Sequence, residues 1–326
     1  MLTNINHELE NLVSSKILAD EPLNKHTSFG IGGNASFYIL PSNDIELKNI
    51  LKYSNSNKIK IFFIGSGSNL LVSDNGFDGI VISLKKTFKN FIVNNDLTAT
   101  IGTGVMLGNM VKVLSKQSIK GLESLIGVPG TLGGALVMNA GAYGMEISNY
   151  LVDITVIKMD GTEKKYKKED LEFSYRFSSI PKNEIIVEAN FKFELGDINN
   201  INDKKIQASN QRKNKQPLKF RSAGSIFKNP ASDLAAGYLI DKSNLKGIRV
   251  GDAEISTKHA NFIVNHGSAS SDDVLELIKL IKSTVKEKFN IDLKLEIKLL
   301  GFTKKQLKGL DWFIIDLKNM QLSFFQ

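Results

Sequence analysis

Between Arg221 and Pro230 the chain runs Arg-Ser-Ala-Gly-Ser-Ile-Phe-Lys-Asn-Pro. Ser225 follows a small, flexible Ala-Gly pair and precedes an apolar Ile-Phe, a lysine and an amide. This is a way to hold a hydroxyl on a sharp turn with a cation and an amide close by. Two charged residues elsewhere belong to short distinctive runs: Arg176 in Phe173-Ser174-Tyr175-Arg176, and Glu296 in Leu295-Glu296-Ile297. On residue type alone each has an ordinary reading as well. Ser225 can be a turn residue entering a strand, Arg176 a surface arginine beside two phenylalanines, and Glu296 a solvated glutamate between Lys294 and Lys298.

Two glycine clusters could hold a ligand beside these groups. Gly65-Ser66-Gly67-Ser68-Asn69 directly follows an apolar run, where glycines let the backbone turn sharply and aim bare N–H groups at an anion. It matches neither the Gly-x-Gly-x-x-Gly fingerprint nor a Walker lysine loop. The second cluster, Gly127-Val128-Pro129-Gly130-Thr131-Leu132-Gly133-Gly134-Ala135, continues through Met138-Asn139-Ala140-Gly141-Ala142-Tyr143-Gly144. So dense a run of small residues lets backbone approach a flat ring and a diphosphate.

The elements that must position these groups follow from hydrophobic periodicity. Lys58–Ile64 and Gly79–Leu84 are expected strands. Asn94-Asn95-Asp96 and Asp160-Gly161 mark hairpins, the latter joining Tyr150–Lys158 to Lys164–Tyr166. Glu184–Leu195 and Asn261–Asn265 are further expected strands, and Val105–Ser118 a helix ending at Lys120-Gly121. The chain is thus strand-rich to about residue 195. Beyond it, Asp197–Gln216 is expected to be a lysine-rich surface helix linking two domains, and Leu234–Ser243 a short helix. Ser270–Phe289 carries a capping-box pattern, Ser270 with Asp273, before the stripe Val274, Leu277, Ile278, Ile281 and Val285. The alternation in Leu293–Leu299 predicts a half-buried strand with Glu296 on its polar face.

Composition sets bounds. With 326 residues, 42% of them hydrophobic, the chain can bury two or three cores. It has no Cys, which excludes disulfides, thiolate nucleophiles and Cys-ligated metals. Its four histidines (7, 26, 259, 266) show no paired metal-ligand spacing, so no metal is expected. The net charge of +8 suits an anionic partner, but the lysines are scattered with few aromatics between them, so most belong to solvated faces. The first residues lack a basic region followed by an apolar run, and no segment is long enough for a membrane span. A cytoplasmic protein is expected, with no membrane insertion.

In order and spacing, the two glycine clusters, the Tyr-Arg run, the Ser225 run and Leu295-Glu296-Ile297 resemble the UDP-N-acetylenolpyruvoylglucosamine reductase family, over roughly residues 20–301. The resemblance implies an α+β fold: a two-part FAD-binding domain of the vanillyl-alcohol oxidase/PCMH type at 20–195 (about 20–85 and 86–195), and a C-terminal α+β substrate-binding domain at 205–301. The tail 302–326, with the chain's one Trp, Trp312, has no assigned role. The resemblance further implies NADPH-dependent, FAD-mediated reduction of UDP-N-acetylglucosamine enolpyruvate to UDP-N-acetylmuramate in a ping-pong scheme. Arg176, Ser225 and Glu296 are then catalytic. Gly65, Ser66, Gly67, Ser68, Asn69, Pro129, Gly130, Thr131, Gly133, Gly134, Asn139, Gly141 and Ala142 hold non-covalent FAD, and Tyr143, Tyr175, Lys215 and Asn229 hold substrate. His259 is expected to be a packed structural histidine. Arg176 and Ser225 are 49 residues apart, the spacing of a shorter subtype without a lid tyrosine. A monomer or weakly self-associating protein is expected. The alternatives are another FAD-linked oxidoreductase of the same superfamily and a basic nucleic-acid-binding protein; no nucleic-acid partner is expected on the first reading.

Overall fold

Residues 61–64, Ile-Phe-Phe-Ile, are apolar on both faces and form a fully buried strand, Ile61–Ile64, as a strand covered on both sides requires. In the computed structural model, which describes residues 2–310, this strand pairs in parallel with Phe77–Ser83. That strand pairs in parallel with Asn34–Ile39, and Ile17–Pro22 completes the sheet antiparallel at its edge. The helix Asp44–Ser56 makes the crossover and is capped by Asn43, whose side chain accepts from Glu46 N at 2.9 Å. This helix, the strand Ile17–Pro22 and the N-terminal helix Leu2–Leu12 have no counterpart in the sequence expectations.

Glu46 fastens these pieces together. Its carboxylate accepts Ser14 N at 2.9 Å, Ser14 Oγ at 2.6 Å and Ser42 N at 2.8 Å, and also accepts from Ser15 Oγ. Burial pushes the carboxyl up, yet these serine donors outweigh it and hold the group at about 2. A carboxyl with a depressed folded-state value stabilises the fold above its ordinary value of 4.5 and loses that contribution as pH falls through about 2. The gap corresponds to about 3 kcal/mol. Glu46→Gln should therefore lower unfolding stability by about that amount at pH 7, and the difference from wild type should nearly vanish at pH 2. Equal urea midpoints at pH 7 would remove this role.

The second sheet has five antiparallel strands in the order Glu163–Lys167, Leu151–Lys158, Glu184–Lys192, Thr98–Gly102, Phe91–Val93. Both expected hairpins close. Lys158 N donates to Thr162 O at 2.8 Å around Gly161 (φ 80°), and Asn94 N donates to Thr98 O at 2.8 Å. Ile101, Ile154, Ile186, Ala189 and Phe191 pack with Met110 and Leu114 of the helix Leu107–Lys116.

In the C-terminal part, Arg249–Val250, Ala253–Ile255 and Ile263–Asn265 form a small antiparallel sheet. The helix Ser271–Phe289 packs on it behind the expected capping box: Asp273 N donates to Ser270 Oγ at 3.0 Å and Ser270 N to Asp273 Oδ2 at 2.8 Å. The five stripe residues are all fully buried. Phe29, Ile31 and Leu71 join the same core from the first part of the chain, as do Phe302, Leu307 and Leu310 from the start of the tail. The rest of the tail, with Trp312, lies outside the described residues.

Two expectations need revision. The helix Ile198–Lys215 is not a bare linker: capped by Asp197, it buries Ile201 and Ala208 and lies against Leu107–Lys116 and Glu123–Leu125. Of the strand expected at Leu293–Leu299, only Lys298–Leu300 pairs as a strand, parallel to Leu70–Val72. Residues 294–296 bond to loops instead. Lys228 N donates to Lys294 O at 2.8 Å, Glu296 N to Ile226 O at 2.8 Å, and Asn69 Nδ2 to Glu296 O at 3.1 Å. We propose domain boundaries near residues 85, 195 and 205; the distribution of apolar cores supports the division, although Ile157, Met159, Ile185 and Val187 reach into the first core.

Candidate active site

The segment around Glu296 is stitched between the Ser225 run and the loop after Ile64, so one cavity of about 490 Å³ opens where the three parts of the chain meet. Its wall includes Gly65–Asn69, Pro129–Thr131, Gly134, Gly141–Tyr143, Arg176, Ser225 and Glu296. The three catalytic candidates are thus brought together from positions 120 residues apart in the widest case.

Local structure explains how each is held. Phe173–Ser174 and Phe177–Ser178 form a minimal hairpin, leaving Tyr175 and Arg176 as its two turn residues. Arg176 takes the left-handed conformation at φ 56°, unfavourable for a side chain other than glycine or asparagine. Neighbours fix the turn: Lys228 Nζ donates to Arg176 O at 3.0 Å, and Asn139 Nδ2 to Ser174 O at 3.0 Å. Lys228 thus braces the arginine turn. The Arg176 guanidinium donates from Nε to Glu296 Oε1 at 2.7 Å and from Nη2 to Gly141 O at 3.1 Å. Only 21% and 15% of the two side chains is exposed, so this is an interior ion pair, not a solvated one.

Ser225 sits just after Gly224, whose φ of 79° makes the turn. Ile226 and Phe227 behind it are fully buried, and Asn261 clamps both: its backbone oxygen accepts Ile226 N at 2.8 Å, and its side chain exchanges hydrogen bonds with Phe227 N and O at 3.0 and 2.8 Å. The hydroxyl is carried on a rigid base at the cavity wall.

Electrostatics favour an anion. Burial holds the Glu296 carboxyl above its ordinary value although Arg176, Lys228 and Lys298 all pull it down. Burial, with Lys228 and Lys182 nearby, brings Lys298 down to about 8. Lys298 lines the cavity, as do Arg212, Ser28 and Phe262; none of the four was singled out from the sequence.

The remaining expected site residues divide. Tyr143 lies at the rim, 59% exposed. Gly133 and Asn139 are buried behind the wall; Asn139, fully enclosed, also donates to Glu146 Oε2 at 2.6 Å and supports the arginine turn. Tyr175 and Asn229 lie outside the cavity wall, with Asn229 N donating to Tyr175 Oη at 3.5 Å and Asn229 Oδ1 accepting from Ala236 N at 3.1 Å. Lys215 is exposed and does not line the cavity. His259 is packed, its Nδ1 accepting from Asn261 N at 3.3 Å and its ring against Phe262.

The glycine loops fit a flavin dinucleotide. A Cβ placed at Gly65 would meet Thr131 Oγ1 at 2.7 Å, and Ser68 Oγ donates to Pro129 O at 3.0 Å, so the two loops form one continuous wall. At Gly130 (φ 151°) an added Cβ would meet nothing nearer than Ser68 Oγ at 3.9 Å, which leaves bare backbone facing open cavity where a flat ring or a diphosphate can lie.

Comparison with known proteins agrees with this geometry. Residues 35–166 match an FAD binding domain family, and residues 216–300 match the family "UDP-N-acetylenolpyruvoylglucosamine reductase, C-terminal domain". The chain is 42% identical over 301 residues to the UDP-N-acetylenolpyruvoylglucosamine reductase of Clostridium tetani, covering 92% of this chain and 97% of that one. It is 41% identical to that of Clostridium novyi, covering 91% and 96%. Among solved structures, the UDP-N-acetylenolpyruvylglucosamine reductase of Thermus caldophilus superposes with a TM-score of 0.75 at 35% identity, over 88% of this chain and 99% of that one. The α+β fold, with its FAD-binding part and its C-terminal part, is the one the resemblance implied, and the alternatives drawn from superfamily and charge are not favoured. With matches of this identity over nine-tenths of its length, the chain belongs to the UDP-N-acetylenolpyruvoylglucosamine reductase family.

Proposed function

We propose that Arg176, Ser225 and Glu296 carry out the reaction of this family within the cavity just described. The reaction is the NADPH-dependent, FAD-mediated reduction of UDP-N-acetylglucosamine enolpyruvate to UDP-N-acetylmuramate, an oxidoreduction at a CH–CH group in peptidoglycan precursor synthesis. Bound FAD supplies a two-electron relay from the nicotinamide to the terminal carbon of the enolpyruvyl double bond. As a C–H bond forms there, the π pair moves to the carbon bearing the carboxylate and spreads into an aci-carboxylate. Arg176 faces that charge. Its bonds to Glu296 and Gly141 use two of its five N–H donors, leaving three for an oxyanion. Glu296, held above the ordinary carboxylate range by burial, shares a proton with the developing acid and orients the arginine through Nε. Ser225 gives its proton to the carbanion, forming the second C–H bond, and its alkoxide is re-protonated from solvent.

The observation that carries this reading is the 2.7 Å interior pair of Arg176 and Glu296 on the same wall as Ser225. Among the described residues no helix is long and apolar enough to cross a membrane; we take the enzyme to work in the cytoplasm, as a monomer or weak self-associate. Purified protein should be yellow, its flavin should be bleached by a single equivalent of NADPH under anaerobic conditions, and catalytic turnover should need the enolpyruvyl substrate. Gly130→Val, with a side chain projecting into the cavity from a strained φ, should give colourless apoprotein. Anaerobic turnover of NADPH beyond that single equivalent without the enolpyruvate, or full flavin in the valine variant, would sink the assignment. Gly67→Val is a poorer test, since its Cβ would fall 2.1 Å from His26 O and distort the loop itself.

A further inference from the structure

We propose that Ser28 is a positioning residue for proton transfer from Ser225, holding the Ser225 segment in register with the first glycine loop. The inference rests on the reading above that Ser225 gives the proton. Ser28 lines the cavity from the loop 26–33, which reaches across from the first part of the chain. The next residue, Phe29, is fully buried in the C-terminal core, and its backbone oxygen accepts from Asn265 Nδ2 at 3.0 Å, so the loop is pinned where it crosses. Ser28 N donates to Gly67 O at 3.0 Å, and Ser28 Oγ donates to Ser222 O at 2.7 Å. Gly67 O lies 3.4 Å from the same hydroxyl, so its single proton goes to Ser222. One residue thus ties the glycine loop to a segment 194 positions downstream of itself. The neighbouring hydroxyl, on Thr27, closes its own loop instead, donating to Ile31 O at 3.1 Å.

The two sides of Ser225 are fastened unequally. Downstream, Asn261 clamps Ile226 and Phe227, and Glu296 N adds a bond to Ile226 O. Upstream, Asn265 N donates to Arg221 O at 2.9 Å, and the Ser28 hydroxyl then takes Ser222 O. The backbone of Ala223, Gly224 and Ser225 makes no hydrogen bond with a described residue. Ala223 is held by its buried methyl group alone, a contact without direction. Gly224 turns at φ 79° with nothing within 4 Å of where a Cβ would stand, so the segment has room to shift. The Ser28 hydroxyl is therefore the last directional contact before Ser225 on its upstream side.

Register matters here because the two C–H bonds form at adjacent carbons of one enolpyruvyl group. The loop that cradles the cofactor and the segment that carries Ser225 must keep a fixed separation, and Ser28 spans it. A general acid works only within hydrogen-bond reach of its acceptor, and a misplacement of about 1 Å costs on the order of 10²-fold in rate.

The test is a double-mutant cycle on the holoenzyme. Ser28→Ala and Ser28→Thr are compared with wild type by anaerobic rapid mixing, each alone and combined with Ser225→Ala. In Ser28→Ala, flavin reoxidation by UDP-N-acetylglucosamine enolpyruvate should slow by roughly 10- to 100-fold, far more than reduction by NADPH does. Ser28→Thr, which keeps the hydroxyl, should recover most of that loss. In the Ser225→Ala background, Ser28→Ala should add less than about twofold, since no proton donor is left to misplace. Binding of UDP-N-acetylmuramate, followed by the flavin absorbance change, should be nearly that of wild type in Ser28→Ala. Losses that multiply in the double variant would make Ser28 independent of Ser225, and product affinity falling in step with the rate would make it a ligand contact; either overturns the proposal. Reoxidation of Ser28→Ala at the wild-type rate overturns it too. If Ser28→Ala does not fold, Ser28→Cys, whose thiol fills the space but donates weakly, is read in its place with the same pattern expected. If Ser225→Ala alone reoxidises at the wild-type rate, the reading of Ser225 has failed, and Ser28 has no donor to position.

Discussion

In Ser225→Ala, reduction of bound FAD by NADPH should proceed at the wild-type rate, while reoxidation by UDP-N-acetylglucosamine enolpyruvate slows by roughly 10²–10⁴-fold, the usual worth of a positioned general acid. The separation follows from the order of events. No enolpyruvyl group is present while NADPH occupies the pocket, so the Ser225 proton has no acceptor in that half of the cycle. It is needed only once charge has accumulated beside the substrate carboxylate. The structure strengthens the test, because the serine sits on a base that does not depend on its hydroxyl. Ile226 and Phe227 are locked by Asn261, and Glu296 N bonds to Ile226 O at 2.8 Å. Removing one oxygen atom should leave Arg176, Glu296 and the flavin cradle in place. Ser225→Cys should restore part of the rate, since a thiol is the stronger acid. Rapid-mixing absorbance on each half-reaction decides it. Equal slowing of both halves would reduce Ser225 to shaping the pocket, and slowing of neither would move the proton donor elsewhere, with Glu296 the next candidate.

How far the sequence reveals such a site depends on the range of the interactions that build it. The helix Ser271–Phe289 and the Asp160-Gly161 hairpin are legible because cap, stripe and turn lie within a few residues of one another. Glu296 is not legible in this way. Its flanking lysines suggest a solvated strand face, but Asn69 holds it from 227 residues away and Arg176 from 120. Only the long-range closure turns that polar face inward, so resemblance found it where periodicity could not. The same limit explains the two glycine-cluster residues behind the wall: Gly133 and Asn139 share the composition of their neighbours, and nothing local marks which of them face the ligand. Lys215 and Arg212 differ for another reason. Both are cations on the last turns of one helix, and only the packing of that helix decides that Arg212 and not Lys215 reaches the cavity wall.

Arg176→Lys keeps the charge and should still lower kcat/KM by roughly 10²–10³-fold with FAD fully retained, a loss on the scale of removing one transition-state donor. The reason is geometric. Arg176 holds Glu296 with Nε at 2.7 Å and Gly141 O with Nη2 at 3.1 Å, and still presents donors to the substrate. A lysine ammonium has three donors on one atom and cannot span the carboxylate, the backbone oxygen and the substrate together. It will settle on Glu296, the nearest anion, and abandon the developing aci-carboxylate. Because that charge grows only as the enolpyruvyl double bond is reduced, the deficit should fall on kcat rather than on KM, and on flavin reoxidation rather than on its reduction. Arg176→Gln goes further by removing the charge that opposes burial at Glu296. The Glu296 carboxyl should then titrate at still higher pH, so that the variant's pH–rate profile shifts alkaline, whereas the profile of Arg176→Lys should stay near wild type. An unshifted profile in the glutamine variant together with wild-type turnover in the lysine variant would return Arg176 to a structural role in its turn.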